Sequence, residues 1–328
     1  MRYIFSTLIL FIFCACSSNT ETPQYSFYHW KSKAKMLSGL EKQVNTGLDK
    51  VYLHYFDIDY QNDSYYSIKP KYVITEVDDW YKQQSITPVV YITNKTLKKI
   101  HTVDELAENI KQLVTEISIH HFGKALPDLQ IDCDWTQQTK EKYFTLLNLL
   151  KQDYRLTATI RLHQLKYPDL TGIPPVEHGA LMLYNMGDLP NMKQNSILST
   201  EIIKSYINEQ LSYPIDLDVA LPIFSQTVIK NYRGKVRLLN FVPESLTDTS
   251  IFTPLGPNHF KPKRDTLFHG FFISPFFELK SESVPENDLL ESIDILKNSK
   301  LNLKSIIYYH LDEACVNRYS ISKISSRL

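Results

Sequence analysis

Eight short segments of the chain carry apolar and β-branched residues in strand-like runs: Tyr25–Trp30, Lys50–Tyr60, Thr87–Asn94, Asp128–Trp135, Arg155–Gln164, His178–Gly187, Pro214–Ile223 and Leu303–Glu313. Between most of them apolar residues recur at helical spacing. Val103, Leu106, Ile110, Leu113, Val114 and Ile117 mark a helix over Val103–His121, and Tyr143, Phe144, Leu147 and Leu150 mark another over Lys140–Leu150. Thr200–Leu211 and Asn287–Leu296 read the same way, the latter with Pro285 near its start, where proline suits a helix opening. Strands alternating with helices predict an α/β fold, a closed parallel (β/α)8 TIM barrel. An open doubly wound sheet is the alternative, but no dinucleotide-type glycine fingerprint supports it.

The stretch between strands seven and eight is too long for one crossover and predicts an insertion. Tyr232–Phe241 reads as a strand or hairpin about Arg233-Gly234-Lys235, Leu246–Arg264 as a long Pro-, Thr- and Asp-rich excursion, and His269–Ser274 as another short strand. An insertion after strand seven lies over the C-terminal face of the strands, where barrel sites form.

The strands alternate polarity in an unusual way. Side chains along a strand point to opposite faces, and the apolar face should meet the helices. Gln130, Asp132 and Asp134 oppose Ile131, Cys133 and Trp135; Thr157, Thr159, Arg161 and His163 oppose Ala158, Ile160 and Leu162. Asp216 and Asp218 oppose Leu217, Val219 and Leu221; Tyr52 and His54 oppose Val51, Leu53 and Tyr55; Tyr308, His310 and Asp312 oppose Ile307, Tyr309 and Leu311. The polar sets are expected to face inward, with Arg161 and Asp218 deeper and Asp134, His163, His310 and Asp312 nearer the mouth. Barrel interiors are normally filled by branched apolar residues, and a buried charge is costly unless paired. These groups therefore either form a satisfied buried network or line a site for a polar ligand, and the two can coexist.

Lys+Arg and Asp+Glu both number 36, so the formal charge is zero and no nucleic-acid partner is expected. The 21 Tyr and 16 Phe are compatible with stacking on sugar rings and equally with core filling. With 9 Gly, a glycine-rich phosphate loop is disfavoured. Trp30, at the end of strand one, is the better stacking platform; Trp135 is expected to pack under a helix. Cys133 faces outward on strand four and Cys315 follows strand eight, so two free thiols are expected rather than a disulfide.

The first residues read differently. One Arg at position 2 is followed by about twelve mostly apolar residues, too few for a span of about 20. The run ends Phe13-Cys14-Ala15-Cys16-Ser17-Ser18, which resembles the lipobox of bacterial lipoproteins. That resemblance implies a signal over residues 1–15, a lipid on Cys16, a flexible tether over 16–24 and a single barrel domain over 25–328. It implies a membrane anchored through lipid, on the periplasmic side of an outer membrane or at the cell surface. The Cys16-Ser17-Ser18 start lacks the Asp that would suggest inner-membrane retention.

Leu129-Gln130-Ile131-Asp132-Cys133-Asp134-Trp135-Thr136 resembles the strand-four signature of family 18 glycoside hydrolases, Asp-Gly-x-Asp-x-Asp-x-Glu. Asp132 and Asp134 match its second and third acids, while Leu129 and Thr136 stand where the first Asp and the catalytic Glu would be. Leu181-Met182-Leu183-Tyr184-Asn185 is similar to that family's strand-six run. The resemblance implies a glycan ligand held by Tyr184 and Asn185. Phe27-Tyr28-His29-Trp30-Lys31, Thr159-Ile160-Arg161-Leu162-His163-Gln164 and Gly172-Ile173-Pro174-Pro175 also resemble an uncharacterised family of barrel lipoproteins from Bacteroidota.

Threonine cannot donate the proton that Glu donates. The expectation is therefore a cell-envelope carbohydrate-active barrel with Asp132, Asp134, Asp312 and Glu313 as candidate acids. Trp30, His54, Arg161, His163, Tyr184, Asn185, Asp218 and His310 are its candidate substrate-binding groups. The alternatives are a barrel that binds glycan without cleaving it and a metal-dependent hydrolase using His54, His163, His310, Asp132 and Asp134. No His-x-x-x-His or His-Glu-x-x-His spacing occurs, so no metal or other cofactor is expected, and no Gly-x-Ser-x-Gly elbow points to a serine nucleophile. A monomer is expected.

Overall fold

The computed structural model describes residues 23–61 and 68–328. The expected signal, Cys16 and the tether up to residue 22 lie outside the described residues. All eight expected strands form: β1 (Tyr25–His29), β2 (Leu48–Tyr60), β3 (Ile86–Ile92), β4 (Asp128–Asp132), β5 (Arg155–Arg161), β6 (His178–Met182), β7 (Asp216–Pro222) and β8 (Leu303–Tyr309). Each runs parallel to its neighbours in the order of the chain, and β1 pairs with both β2 and β8. The ring is closed, and the fold is a (β/α)8 barrel.

Several strands end sooner than their polarity pattern. β4 stops at Asp132 and β6 at Met182, so Asp134, Tyr184 and Asn185 belong to loops over the C-terminal face.

The helices form where apolar spacing placed them, except that the one expected over Thr200–Leu211 ends at Tyr206. Val103–Phe122 buries Leu106, Ala107, Ile110, Val114 and Ile117, and ends at Gly123, whose φ of 71° suits glycine. Burying one such aliphatic side chain stabilises by about 1.5–3 kcal/mol. Lys140–Leu150 packs Tyr143 against Trp135, ring centroids 5.0 Å apart. Trp135 is fully buried on the outer face and donates its indole N–H to the Thr171 carbonyl at 2.9 Å. Cys133 and Cys315 are buried free thiols, and burial raises both above the usual thiol range. Among the described residues no helix is long and apolar enough to cross a membrane.

The insertion between β7 and β8 carries more order than its sequence suggested. Five antiparallel strands lie in the order Val236–Leu239, Ser225–Lys230, Glu278–Ser283, His259–Pro262 and Phe252–Gly256. The hairpin expected within Tyr232–Phe241 exists, but its first arm is Ser225–Lys230 and its turn includes Gly234. The excursion Leu246–Arg264 contains a hairpin of its own. Its prolines and glycine hid the pattern, while Phe252 and Phe260 anchor it in a small core with Ile229, Leu239, Leu246, Phe268, Ile273 and Leu279.

This sheet is fastened to the loop after β6 by a buried charge cluster. The Glu282 carboxylate accepts from the Ser196 backbone N–H at 2.7 Å, the Ser196 hydroxyl at 2.6 Å and the Gln226 amide at 2.7 Å. Lys280 pairs with Glu282 at 2.7 Å and donates to the Asn191 and Gln194 carbonyls.

Candidate active site at the barrel mouth

The parallel register of β4 and β5 sets Gln130 level with Thr157 and builds a ladder of polar rungs up the interior. Gln130 donates to the Thr157 hydroxyl at 3.2 Å and accepts from the Tyr28 hydroxyl, across the barrel, at 2.6 Å. One rung higher, Thr159 donates to Asp132 at 2.7 Å; above that, Arg161 Nε donates to Asp134 at 2.6 Å. Arg161 Nη1 also reaches the Tyr184 carbonyl at 3.3 Å. The inward set expected on these two strands meets rung by rung as far as Arg161.

The rungs differ in their access to water, and the chemistry follows. Asp132 is buried, and burial raises its carboxyl from the ordinary 3.8 to about 6, against the pull of Arg161 and the Thr159 hydroxyl. Asp134 is the open end of the ladder, with 46% of its side chain exposed. Burial works against the charge on Arg161, yet Asp134 and Asp132 hold the guanidinium more firmly protonated. Thr136 donates its backbone N–H to the Thr139 hydroxyl at 2.9 Å, with the two hydroxyls 3.3 Å apart.

Aromatic rings surround this centre. Tyr309 lies 5.0 Å from Tyr184, 5.9 Å from Trp30 and 5.6 Å from Phe224. Trp30 stacks on His54 at 4.6 Å. Tyr91 on β3 is level with Asp132, and burial, then Asp132 and Asp134, push its hydroxyl up to about 12. Asn185 is exposed with φ 55°, a left-handed conformation that asparagine tolerates better than most residues.

Strand eight corrects the expected facing. Tyr308 points outward: its hydroxyl bonds the Ile321 carbonyl and Ser325, and its ring packs with Tyr25 and Phe27. Tyr309 is the inward residue. Two adjacent tyrosines gave alternation nothing to decide on, whereas Ser305, which donates to Asp218 at 2.6 Å, fixes the odd-numbered residues inside. The Tyr309–His310 peptide is cis. His310 lies near His29, Lys31 and Asp312, and burial lowers it to about 4.

The remaining candidates are dispersed. Asp312 pairs with Lys31 and caps Glu313–Val316 through the Ala314 N–H at 3.1 Å. Burial opposes its charge, but Lys31 holds its carboxyl below the usual range. Glu313 is exposed in the first turn of that short helix. His163 is exposed on Leu162–Lys166. Asp218 lies in a lower layer, bonded to His178 at 2.7 Å, Ser305 at 2.6 Å and the Tyr52 hydroxyl at 3.4 Å. Asp216, beside it on β7, bonds Lys304 at 3.1 Å. Among the described residues no group of three or more His, Cys, Asp or Glu gathers as metal ligands would. A cavity of about 620 Å³ lies elsewhere, between the outer face of β2 and the helix Val103–Phe122.

No protein-family model and no curated protein matches the chain. Solved structures do. The spore cortex-lytic enzyme SleL of Bacillus cereus is 12% identical, covering 93% of this chain and 73% of its own at a TM-score of 0.51. SleL of Bacillus megaterium QM B1551 is 9% identical, covering 94% and 75% at 0.51. A chitinase of Chromobacterium violaceum is 8% identical, covering 93% and 99% at 0.49. At this identity the two SleL likenesses show the fold alone, a (β/α)8 barrel.

Proposed function

We propose that this chain is a carbohydrate-active barrel of the cell envelope, and that Asp132 is the working acid of a site that takes a polysaccharide or glycan at the mouth. What supports the reading is a buried carboxyl bonded by Thr159, pushed up to about 6 by burial, and close enough to Tyr184 and Tyr309 to act on their hydroxyls, two rings that cluster with Trp30. A carboxyl partly protonated near neutrality suits proton donation to a leaving oxygen. Flat rings beside polar groups suit sugars, which offer both apolar faces and hydroxyls. Arg161 and Asp134 at the open end supply a donor and an acceptor for those hydroxyls. The cortex-lytic activity named for the two SleL structures fits an envelope polymer as ligand.

A second reading, glycan binding without cleavage, is favoured by Thr136 at the position of the acid in the resembling hydrolases and by the pinning of Asp134 to Arg161. Both readings require retention of a glycan. On an array of bacterial and plant oligosaccharides the full chain should retain at least one class, and Trp30→Ala and Tyr184→Ala should each weaken it at least tenfold. An array with nothing retained overturns both readings. The lipobox-like run to Cys16 supports a lipid anchor. Cys16→Ser should move the protein from the membrane to the soluble fraction, and unchanged partitioning would remove the anchor.

A further inference from the structure

Asp57 was not among the residues that alternation turned inward, and a β-bulge is the reason. Along β2 and β3, His54 is level with Val89 and Phe56 is level with Val90, so Tyr55 is an extra residue without a partner. One extra residue reverses which side chains face the interior beyond it. Tyr55 and Phe56 consequently both point out: the Tyr55 hydroxyl lies 3.1 Å from Ser118 on the helix Val103–Phe122, and Phe56 lines the groove beside that helix. His54 and Asp57, three apart, both face in, with His54 Nε2 2.7 Å from Asp57 Oδ1.

The bulge turns a second carboxyl into the interior that holds Asp132. Asp57 is in register with Tyr91, and Tyr91 with Asp132, so the two acids lie on the strands flanking β3 and both turn inward. Two strand spacings put their α-carbons roughly 10 Å apart, and inward-pointing side chains in a curved wall converge from there. Glycosidases that invert configuration hold their two carboxyls about 6.5–9.5 Å apart, and retaining ones about 5 Å. The side chain of Asp57 is 19% exposed, so it opens to the mouth while Asp132 is buried. His54 is built to aim it. Trp30 stacks on the ring at 4.6 Å, and among the described residues the buried Nδ1 has no hydrogen-bond partner, which leaves Nε2–H to Asp57 as the hydrogen bond that orients the imidazole.

We propose that Asp57 is the second catalytic carboxylate of this site, the base opposite Asp132, with His54 and Trp30 as its positioning residues. The proposal rests on the hydrolytic reading above. Asp57 takes a proton from water, whose oxygen bonds to the anomeric carbon from the side opposite the leaving group. The glycosidic C–O pair leaves with the departing oxygen, which takes the Asp132 proton. One water is consumed, one hemiacetal and one alcohol form with inversion, and the proton on Asp57 returns to Asp132 through solvent. Thr136 is not needed.

The test uses the full chain on chito-, cello-, manno- and xylo-oligosaccharides, with release, the anomer of the first product by proton NMR, and binding measured on the same samples. We expect an inverted first product. Asp57→Asn should lower kcat by about 10²–10⁴ with KM, binding and thermal midpoint held, and formate should restore part of the rate in Asp57→Ala, which a structural role would not allow. His54→Asn should lower kcat more than it changes KM. A retained product, or Asp57→Asn at the wild-type rate, overturns the proposal and leaves the hydrolase reading standing. No release by the wild type overturns the proposal, and binding in the same samples decides whether the glycan reading falls with it.

Discussion

Replacing Asp132 by asparagine should make the protein more stable as pH rises. Burial lifts this carboxyl from 3.8 to about 6 in the folded chain, while in the unfolded chain it titrates near 3.9. Below about pH 4 the group is protonated in both states and contributes no pH dependence. Between about pH 4 and 6 the folded state binds the proton more tightly, so stability falls as pH rises. Above about pH 6 the whole cost is present: two pH units at 1.36 kcal/mol each, or about 3 kcal/mol. An uncharged carboxamide in the same place carries no such cost and still offers Thr159 an oxygen to bond. Its N–H adds a pH-independent offset of about 1–3 kcal/mol if unpaired, so the signature is the slope and not the absolute difference. Urea midpoints of wild type and Asp132→Asn, measured from pH 4 to 8, should diverge in favour of the variant by about 3 kcal/mol between pH 4 and 6 and then run parallel. A difference that stays flat across that window, or that favours the wild type increasingly, would refute the burial account of Asp132.

Other consequences follow from the same contacts. Arg161→Met removes the cation that pulls Asp132 down, so the window of divergence should keep its lower end near pH 4 and extend above pH 6; an unchanged upper end would mean that Arg161 does not act on Asp132. Gly172→Ala places a Cβ 2.6 Å from the Phe144 ring at φ 74° and should cost about 1–3 kcal/mol in a urea titration, whereas a neutral result would contradict the packing of that turn. Glu282→Ala strands Lys280 beside an unpaired backbone N–H and should cost about 3–5 kcal/mol; a loss under about 1 kcal/mol would show that the insertion is not fastened to the loop after β6 through this pair.

What the sequence made legible divides along physical lines. The eight strands were readable because apolar, β-branched runs alternate with stretches of helical spacing, and the β4–β5 rungs followed from period-two alternation. The failures lie where that period breaks or carries no contrast. The bulge at Tyr55 hid Asp57, since a register shift leaves no compositional trace. At β8, Tyr308 and Tyr309 are chemically alike, and only long-range partners (Asp218 for Ser305, Ser325 for Tyr308) decide which turns in. Asp312 looked like a mouth acid by position, but Lys31 and a helix N-terminus engage it. In the insertion the strands are three to six residues long and interrupted by Pro254 and Gly256, so a separate core around Phe252 and Phe260 had little periodicity to announce it.

Whether Asp132 does chemistry on a glycan is decided by reducing-end release from a broad panel of oligosaccharides and envelope polymers at pH 6, measured for the full chain and for Asp132→Asn. The wild type should release reducing ends from at least one class, and the variant should lose at least about 10²-fold of that rate with retention of the glycan unchanged. Release that survives in Asp132→Asn at the wild-type rate would contradict a chemical role for Asp132.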